Sequence, residues 1–328
     1  MKDFKFDKEL LSAIKEDNLI VFVGAGTSYN LRNSEKVILG GWSNLVMQIL
    51  QSLEDDNYNV KHLKDLALQY IYDPIVILDL IERDRDINRE DIIRAVKKYY
   101  TLDIDNDYSL HNNLLKLSQK IITTNYDEAF ENIEPSFNRN TATLGKEYEL
   151  ANLYKANSPM LLKLHGCIRE GDKMVILPSD YRRLYEDKDE DAERLLFYLK
   201  NLITNKTILF IGCGMGDFQI NNIFSEIKNA YGKFNKSRHY IITIDNNISQ
   251  KLDFLKPIHI NNYSEINGVI TALVEEKERN INAKLSETIK LKEQLRKIQE
   301  KLDSFQKDRE TVENQNQNLL RHIFGSVN

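Results

Sequence analysis

Three separated segments of this chain place chemically capable residues directly after apolar runs. A glycine turn begins at Gly24, the carboxamide of Asn125 follows a second run, and the imidazole of His165 follows a third. In an open parallel sheet, ligands bind in the crevice beyond the carboxyl ends of the strands. The turn, the carboxamide and the imidazole are therefore predicted to face one ligand of dinucleotide size.

The glycine turn reads Gly24, Ala25, Gly26, with Ser28 close behind. Glycines let the backbone turn sharply and bring N–H groups close to a pyrophosphate, and the Ser28 hydroxyl is a further donor. The dinucleotide fingerprint has a third glycine, and Tyr29 takes its place here. Taken alone, the motif is compatible with nucleotide binding or with a plain tight turn.

The second run ends in Thr124, Asn125 and Asp127. Polar groups directly after a buried strand either cap the following helix or meet a ligand. Asp127 fits the first role as an N-cap, and Asn125 fits a turn. In combination with the other strand ends, we predict that all three residues belong to a ligand site.

His165 is the only one of six histidines that glycine follows at the end of an apolar run. A neutral imidazole can take a proton from a ligand hydroxyl near neutral pH, although a lone histidine is often only a hydrogen-bonded structural residue. No second histidine lies at metal-ligand spacing, so no metal site is predicted.

A second glycine turn follows residues 207–211 and contains Gly212, Gly214 and Asp217. Its glycines allow the backbone to approach a ligand, and Asp217 can cap the next helix or accept a hydrogen bond from a ribose. Asp245 follows another apolar run. It is equally compatible with binding an adenosine ribose and with beginning a turn.

Short apolar runs alternate with helical patterns between residues 8 and about 262. We predict strands at 19–23, 120–124, 160–164, 173–177, 207–211 and 239–244. Strands separated by helical stretches indicate parallel crossovers, so the predicted fold is α/β: a Rossmann-like parallel sheet sandwiched by helices. Apolar residues at helical spacing over about 42–118 indicate a helical insertion. Residues 1–263 would form this domain.

Residues 264–328 have a different composition, rich in Lys, Glu, Gln and Asn. Glycine and proline are absent between Gly268 and Gly325. Apolar residues from Leu291 to Ile323 alternate steps of three and four, with polar Arg309 and Asn316 at two seam positions. This heptad pattern predicts a long coiled-coil helix for oligomerisation or partner binding. The alternative is one solvated helix folding back on its own domain.

The composition excludes several classes of protein. With 45 basic and 50 acidic residues, the net charge of −5 argues against a dedicated nucleic-acid surface. The two cysteines cannot build a disulfide framework or a cysteine zinc site within the chain, and they fit a reducing, cytoplasmic setting. No signal-peptide pattern and no apolar run of about 20 residues occur, so no membrane association is expected.

The four motifs occur in an order that resembles sirtuin-like domains, specifically the bacterial sirtuin-like NAD hydrolases of antiphage defence. They are the glycine turn with Ser28, the segment 124–127, the segment 163–166 and the second turn from Gly212 to Asp217. Trp42 with Leu45, and the segment 178–181, are also typical of that branch. The resemblance covers roughly residues 10–262.

The departures from deacylating sirtuins concern the equipment for peptide substrates. Those proteins carry a four-cysteine zinc module, which Cys167 and Cys213 cannot form, and a cofactor loop that residues 30–36 lack. The resemblance therefore implies dinucleotide chemistry without a metal and without a peptide groove.

The resemblance implies that NAD is the substrate and that its nicotinamide–ribose bond is hydrolysed. It implies that Asn125 holds the ribose or positions water, Asp127 engages the carboxamide and His165 acts on ribose hydroxyls. The first turn would grip the pyrophosphate. Gating by self-assembly, or by a second defence protein such as a sensor or an ATPase, is expected because an unrestrained NAD hydrolase would kill its host cell. The alternatives are an NAD- or ADP-ribose-sensing module without turnover and, less favoured, a protein deacylase or ADP-ribosyltransferase.

Overall fold

The computed structural model describes residues 4–69, 73–146, 159–187, 189–214, 221, 224 and 239–325. The chain divides into two compact units, Met1–Glu275 and Glu276–Asn328. The α-helices of the described residues are α1 (Lys8–Lys15), α2 (Trp42–Asp55), α3 (Lys61–Leu68), α4 (Pro74–Arg83), α5 (Arg89–Tyr100), α6 (Ser109–Leu117), α7 (Ala129–Ile133), α8 (Phe137–Asn140), α9 (Pro178–Tyr185), α10 (Glu190–Asn205), α11 (Ile248–Lys251) and α12 (Ile266–Phe324).

The first unit is built on a parallel sheet. Its seven described strands are β1 (Leu19–Val23), β2 (Lys120–Thr123), β3 (Thr141–Ala142), β4 (Met160–Lys163), β5 (Thr207–Ile211), β6 (His239–Thr243) and β7 (Leu255–His259). Their order is β3-β4-β2-β1-β5-β6-β7, and every pair is parallel. The order reverses at β1, between β2 and β5, and such a switch point is where open α/β sheets bind ligands.

The central strands are buried on both faces, because helices cover each side of the sheet. One face packs against α9 and α10 through residues such as Phe22, Leu162 and Phe210. The other face packs against α1, α6 and the start of α12 through residues such as Val21 and Leu209. This double covering explains why the strands are continuous apolar runs without alternation. The predicted α/β fold is confirmed.

The segment between β1 and β2 is helical, as predicted. Helices α2 to α6 fill it, and the insertion has its own apolar core, which includes Ile49, Leu78 and Val96. Pro74 stands at the start of α4, where the Asp73 carboxylate accepts a hydrogen bond from the Ile75 N–H. The N–H groups in the first turn of a helix have no acceptor within the helix, so a proline, which has no N–H, is well tolerated there. The Asp73 carboxylate satisfies one of the other N–H groups of this turn, and the helix therefore begins at Pro74.

The predicted strand at 173–177 is wrong. A 3₁₀ segment runs from Ile168 to Lys173, and the chain then passes extended along the end of β4. Val175 donates to the His165 carbonyl, while the Ile176 and Leu177 amides donate to the Asp180 carboxylate. These N–H groups are therefore bonded within the loop and at the start of α9, and they form no β-ladder with a neighbouring strand.

Two strands were missed by the sequence analysis. β3 has two residues, too few to give an alternation or a run. β7 contains Pro257 and is only partly buried, and it stands at the edge of the sheet, where a proline is tolerated. Both therefore lack the apolar run by which the central strands were identified.

The C-terminal helix α12 contributes to both units. Val269, Ile270 and Leu273 are buried in the core of the first unit. In the second unit, the apolar side chains of the heptad seam from Leu291 to Ile323 are 50–70% exposed in the single chain. Among the described residues, no helix is long and apolar enough to cross a membrane.

Candidate active site

Strand register brings the predicted site segments to one edge of the sheet. Val23 pairs with Thr123 and Ile211, and Thr123 also pairs with Lys163. Asn125 and His165 each follow this row by two residues, on neighbouring strands. The three segments of the prediction therefore end side by side at the switch point of the sheet.

Asn125 is bonded directly to the first glycine turn. Its Nδ2 donates to the Gly24 carbonyl at 3.1 Å and to Ser28 Oγ at 3.2 Å, and Thr27 Oγ1 lies 3.4 Å away. The Asn125 N–H donates to Thr123 Oγ1 at 2.9 Å. These contacts fix the carboxamide against the turn and orient it at the switch point.

Asp127 lies one residue before the N-cap of α7, which is Glu128. Its Oδ1 accepts from the Ala129 N–H at 3.0 Å, and its Oδ2 accepts from Ser28 Oγ at 2.9 Å. The carboxylate is buried, and the bond from Ser28 joins it to the network around Asn125. Asp127 is therefore part of the polar cluster of the site and is not the N-cap.

The two glycine turns pack against each other. A Cβ on Gly24 would lie 2.7 Å from the Gly212 carbonyl oxygen, and one on Gly26 would lie 2.7 Å from Gly212 Cα. Gly212 has a φ of +65°, and a Cβ there would lie 2.5 Å from the Thr27 nitrogen. Glycine is therefore required at all three positions by close backbone approach, besides any role in ligand binding.

The turn leaves few backbone donors for a ligand. The Gly24 and Gly26 N–H groups donate to the Ile211 and Gly212 carbonyls at 3.0 and 2.9 Å. The Thr27 and Ser28 N–H groups close the 3₁₀ turn onto Gly24 and Ala25. Among these described residues, the Ala25 N–H alone has no backbone acceptor. It is the best-placed main-chain donor of the turn.

His165 is held in an aromatic pocket and is 2% exposed. Its Nε2 lies 3.1 Å from Tyr185 Oη, and its Nδ1 lies 3.4 Å from Tyr181 Oη. Both tyrosines stand on α9, one turn apart. Trp42 packs against the Tyr181 ring at 6.2 Å. The imidazole is therefore oriented by two hydroxyl groups, and α9 and the first residue of α2 form the walls around it.

Gly166 gives the loop after His165 its conformation. Its φ is +84°, and a Cβ would lie 2.9 Å from the Lys173 carbonyl oxygen. This backbone conformation suits only glycine without strain. The His-Gly pair thus allows the chain to turn back along the end of β4.

A buried ion pair lies beneath the site. Lys163 Nζ and Glu131 Oε1 are 2.8 Å apart, and both side chains are 1% exposed. Lys163 Nζ also donates to the Asp127 carbonyl, and the Tyr126 carbonyl lies 3.5 Å away. Burial is the largest single influence and lowers the pKa of Lys163, but the charges of Glu131, Cys167 and Asp127 and the hydrogen bond to Glu131 together outweigh it and raise the pKa above its ordinary value. The ammonium ion therefore ties β4 to the 124–127 segment.

Thr124, Gly214 and Asp245 follow strands at the same sheet edge, with less specific contacts. The Thr124 N–H donates to the Val23 carbonyl at 3.4 Å, and Gly214 has open space where a Cβ would stand. Asp245 Oδ1 accepts from the Asn247 N–H at 2.8 Å, as a turn residue does. Asp217 lies outside the described residues.

The sequence analysis missed Lys163, Glu131 and Tyr185 as contributors to the site. A signal for Lys163 was present, because a charged residue inside a buried strand requires a partner. Tyr181 and Tyr185 are four residues apart and share a helix face, but nothing in the sequence said that this face meets His165. Over the described residues, no group of three or more His, Cys, Asp or Glu side chains is arranged to hold a metal ion.

The chain is similar to one known domain family and to several individual proteins. Residues 119–263 match the SIR2-like domain. The chain is 26% identical over 71% of its length to the NAD(+) hydrolase ThsA of Cytobacillus dafuensis, covering 42% of that protein. It is 23% identical over 85% of its length to the NAD(+) hydrolase ThsA of Bacillus cereus (strain MSX-D12), covering 58% of it.

A third relative is the defense-associated sirtuin 2 of Bacillus subtilis. The chain is 25% identical to it over 67% of its own length, and the match covers 20% of that protein. The chain thus spans about half or less of the length of these relatives. The matched family region contains β2, β4 and the loops with Asn125, Asp127 and His165, at the edge of a parallel sheet. Residues 119–263 thus match the SIR2-like domain, and the chain as a whole is similar to these three proteins.

Proposed function

We propose that this protein is an NAD glycohydrolase that cleaves the nicotinamide–ribose bond of NAD to give nicotinamide and ADP-ribose. The observation that carries the proposal is the hydrogen-bonded cluster of Asn125, Ser28 and Asp127 on the first glycine turn, with His165 at the equivalent position of the neighbouring strand. The names of two relatives, NAD(+) hydrolase ThsA, support the same chemistry.

The reaction requires little covalent chemistry from the protein. The bond between the ribose carbon and the pyridinium nitrogen breaks, and its electron pair leaves with neutral nicotinamide. The resulting oxocarbenium-like centre takes the oxygen of water, and the water releases one proton. His165 acts on the ribose hydroxyls as a base or orients them. Positioning and electrostatic stabilisation together lower the barrier by on the order of 10 kcal/mol in a typical enzyme.

Each site residue then has a role in this reaction. Asn125 holds the ribose or the attacking water, and Asp127 binds the nicotinamide carboxamide. Ala25, through its N–H group, is the backbone contact to the pyrophosphate within the turn. Ser28, whose hydroxyl donates to Asp127, holds the turn against the site. Gly214 gives the dinucleotide room at the second turn, which Asp217 is proposed to extend. Thr124 and Asp245 complete the proposed cofactor-binding residues.

The test is consumption of NAD by the purified protein. We expect Asn125→Ala and His165→Ala to abolish nicotinamide release while the circular dichroism spectrum stays unchanged. Asn132→Ala and His62→Ala are matched controls, because both residues are exposed and neither is hydrogen-bonded to Asn125, Asp127 or His165. Undiminished turnover in both site variants would refute the assignment. Stoichiometric NAD binding without nicotinamide release under any condition would favour a sensing module.

The proposal extends to antiphage defence, in which depletion of NAD stops an infected cell. The name of the Bacillus subtilis relative, a defense-associated sirtuin, supports this role. We propose that activity is gated by assembly or by a second defence protein. NAD loss in cells that express the chain together with the protein encoded beside it, but not in cells expressing either alone, is the expected result. Constitutive NAD loss from the chain alone would contradict gating.

Self-association is proposed for the second unit. Its heptad seam is more than half exposed in the single chain over most of its length, and apolar seams of this kind are buried by a partner helix in coiled coils. We expect Ile298→Asp with Leu302→Asp to lower the molar mass measured by light scattering. Lys297→Asp with Lys301→Asp is a control on the same helix turns. An unchanged mass in the seam variant would contradict the proposal.

A further inference from the structure

The two polar residues of the heptad seam in α12 occupy the same type of heptad position. A heptad steps by three residues from position a to position d and by four from d to the next a. This rule places at position d the residues Leu291, Ile298, Phe305, Val312 and Leu319. It places at position a the residues Leu295, Leu302, Arg309, Asn316 and Ile323. Every d position of the seam is therefore apolar, and both polar residues are at a.

The seam presents a long apolar stripe on the single chain. From Leu291 to Ile323 it extends over about 48 Å at 1.5 Å per residue. Eight of its ten residues are apolar, and their side chains are 50–70% exposed. An exposed apolar stripe of this length marks an interaction surface, and its heptad spacing fits another helix.

The polar residues disfavour an antiparallel partner helix of the same sequence. In an antiparallel pair, each a position lies opposite a d position of the other helix. Arg309 and Asn316 would then face apolar side chains in every such register, because all the d positions are apolar. Burying a polar or charged group without a polar partner is costly. In a parallel pair, a positions lie opposite a positions, so polar residues meet polar residues.

Asn316 selects one register of the parallel pair. In register, it lies opposite Asn316 of the other helix, and two carboxamides satisfy each other because each has donors and an acceptor. A shift by one heptad would instead place one Asn316 opposite Ile323 and one Arg309 opposite Leu302. An asparagine at position a is known to fix the register of coiled coils in this way.

Arg309 is compatible with the same alignment because acidic side chains surround it. Glu313 accepts a hydrogen bond from Arg309 Nε within the helix at 3.0 Å. Asp308 stands at position g, and in a parallel pair the g side chain of one helix borders the a side chain of the other. Asp308 of each copy would therefore lie beside Arg309 of the other. The carboxylates offset the repulsion between the two guanidinium groups.

We infer that α12 pairs with α12 of a second copy of this chain as a parallel, in-register coiled coil whose alignment is fixed by Asn316 and Arg309. The inference rests on the self-association proposed above and adds its partner, direction and register. The partner is a second copy because each polar layer is completed by its own counterpart, as a two-fold symmetric interface requires.

The test is disulfide cross-linking of the full chain carrying Leu319→Cys, followed on a non-reducing gel. Position 319 lies beside its own counterpart in the parallel, in-register pair, so we expect a linked dimer after mild oxidation. Gln317→Cys is the matched control, because residue 317 is at position b, on the outer face of the pair. The unmodified chain gives the background from Cys167 and Cys213. Linkage in Leu319→Cys no greater than in Gln317→Cys would overturn the inference.

Mixtures of variants test direction and register. Chains carrying Leu319→Cys are mixed with chains carrying Leu295→Cys or Val312→Cys, and the linked peptides are identified by mass spectrometry. We expect each position to link mainly to itself. Predominant linkage of 319 to 295 would indicate an antiparallel pair, and predominant linkage of 319 to 312 a shifted parallel pair. Either result would overturn the inference.

A charge reversal tests the place of Arg309 in the interface. In chains that carry Leu319→Cys, Arg309→Glu should slow cross-linking roughly tenfold or more, because its contacts with Asp308 and Glu313 become repulsive. Lys307→Glu makes the same change of charge one turn of sequence away at position f, on the outer face, and should have little effect. Equal effects of the two reversals would contradict the assigned alignment.

Failure of this inference is distinguishable from failure of the proposed self-association. The seam variant Ile298→Asp with Leu302→Asp tests self-association by its molar mass alone. A lower mass in that variant, combined with no specific linkage at 319, would leave self-association standing and overturn the parallel alignment. None of these measurements requires NAD turnover, so they are also independent of the proposed hydrolysis.

Discussion

Lys163→Met is the sharpest test of the buried ion pair beneath the site. Removing the ammonium leaves the Glu131 carboxylate, 1% exposed, without its counter-ion, and Glu131 Oε2 has no hydrogen-bond partner in the described residues. Breaking a buried pair in this way costs about 3–5 kcal/mol, a large share of a typical domain stability of about 5–15 kcal/mol. The free energy of unfolding, measured by denaturant titration, should fall by that amount.

The double variant Lys163→Met with Glu131→Met separates stability from positioning. Replacing both charges with apolar side chains of similar size is often neutral, so we expect most of the stability to return. NAD turnover should remain lower by roughly 10- to 100-fold, since the Asp127 carbonyl loses its anchor and small displacements in an active site are costly. Full turnover in a stable double variant would refute the positioning role.

Lys120→Met is the matched control, because Lys120 begins β2 at the opposite end of the strands from Lys163, which ends β4. Lys120 pairs with Asp17 at 2.8 Å, but Asp17 is half exposed. A solvent-screened pair contributes at most about 1 kcal/mol, so we expect a small loss of stability and unchanged turnover. A loss as large as that of Lys163→Met would show that the burial argument is wrong.

Three further outcomes follow from the same structure. Gly212→Ala, at a φ of +65°, should lower the free energy of unfolding by at least about 1–2 kcal/mol, whereas Gly214→Ala, in open space, should leave it nearly unchanged. Because the pKa of His111 is lowered, the unfolded chain binds a proton near pH 6.5 that the native state does not. Stability should therefore decline by up to about 1.4 kcal/mol per pH unit as the pH falls below that value, and His111→Phe should remove this part of the decline in denaturant titrations. Iodoacetamide should label Cys213 and leave Cys167 unmodified, since burial raises the pKa of the Cys167 thiol. The sites of modification in the native protein are identified by mass spectrometry. Modification of Cys167 before Cys213 would contradict the prediction.

Much of the fold was predictable because the central strands are apolar runs covered on both faces. Leu19–Val23 and Thr207–Ile211 are buried along their whole length, and a continuous run between turn residues is the signature of such a strand. Residues 173–177 have the same composition but form an extended loop. Whether an apolar run joins a sheet depends on an available neighbouring strand, and no local pattern contains that information.

The candidate site was predictable in its residues but not in its contacts. Gly24, Asn125 and His165 each follow a strand, so their common edge follows from the parallel fold. The sequence predicted that the glycines bring the backbone close to a ligand. It did not predict that the two glycine turns pack against each other, because this depends on their lying side by side in the folded protein. The sequence offered Asp127 as an N-cap, but the N-cap of α7 is Glu128, and Asp127 joins the polar cluster through Ser28.

The sequence by itself determined the alternation of strands and helices, the polar residues at the strand ends and the heptad seam of the last helix, because these are local patterns of side-chain type. Only the tertiary structure decided that Lys163 is paired with Glu131, that two tyrosines of α9 orient His165 and that the ring nitrogens of His111 are buried with no hydrogen-bond partner among the described residues. Those partners are distant in sequence or belong to other elements. Their proximity arises from how the helices cover the sheet, and burial then makes each polar contact strong or each missing partner costly.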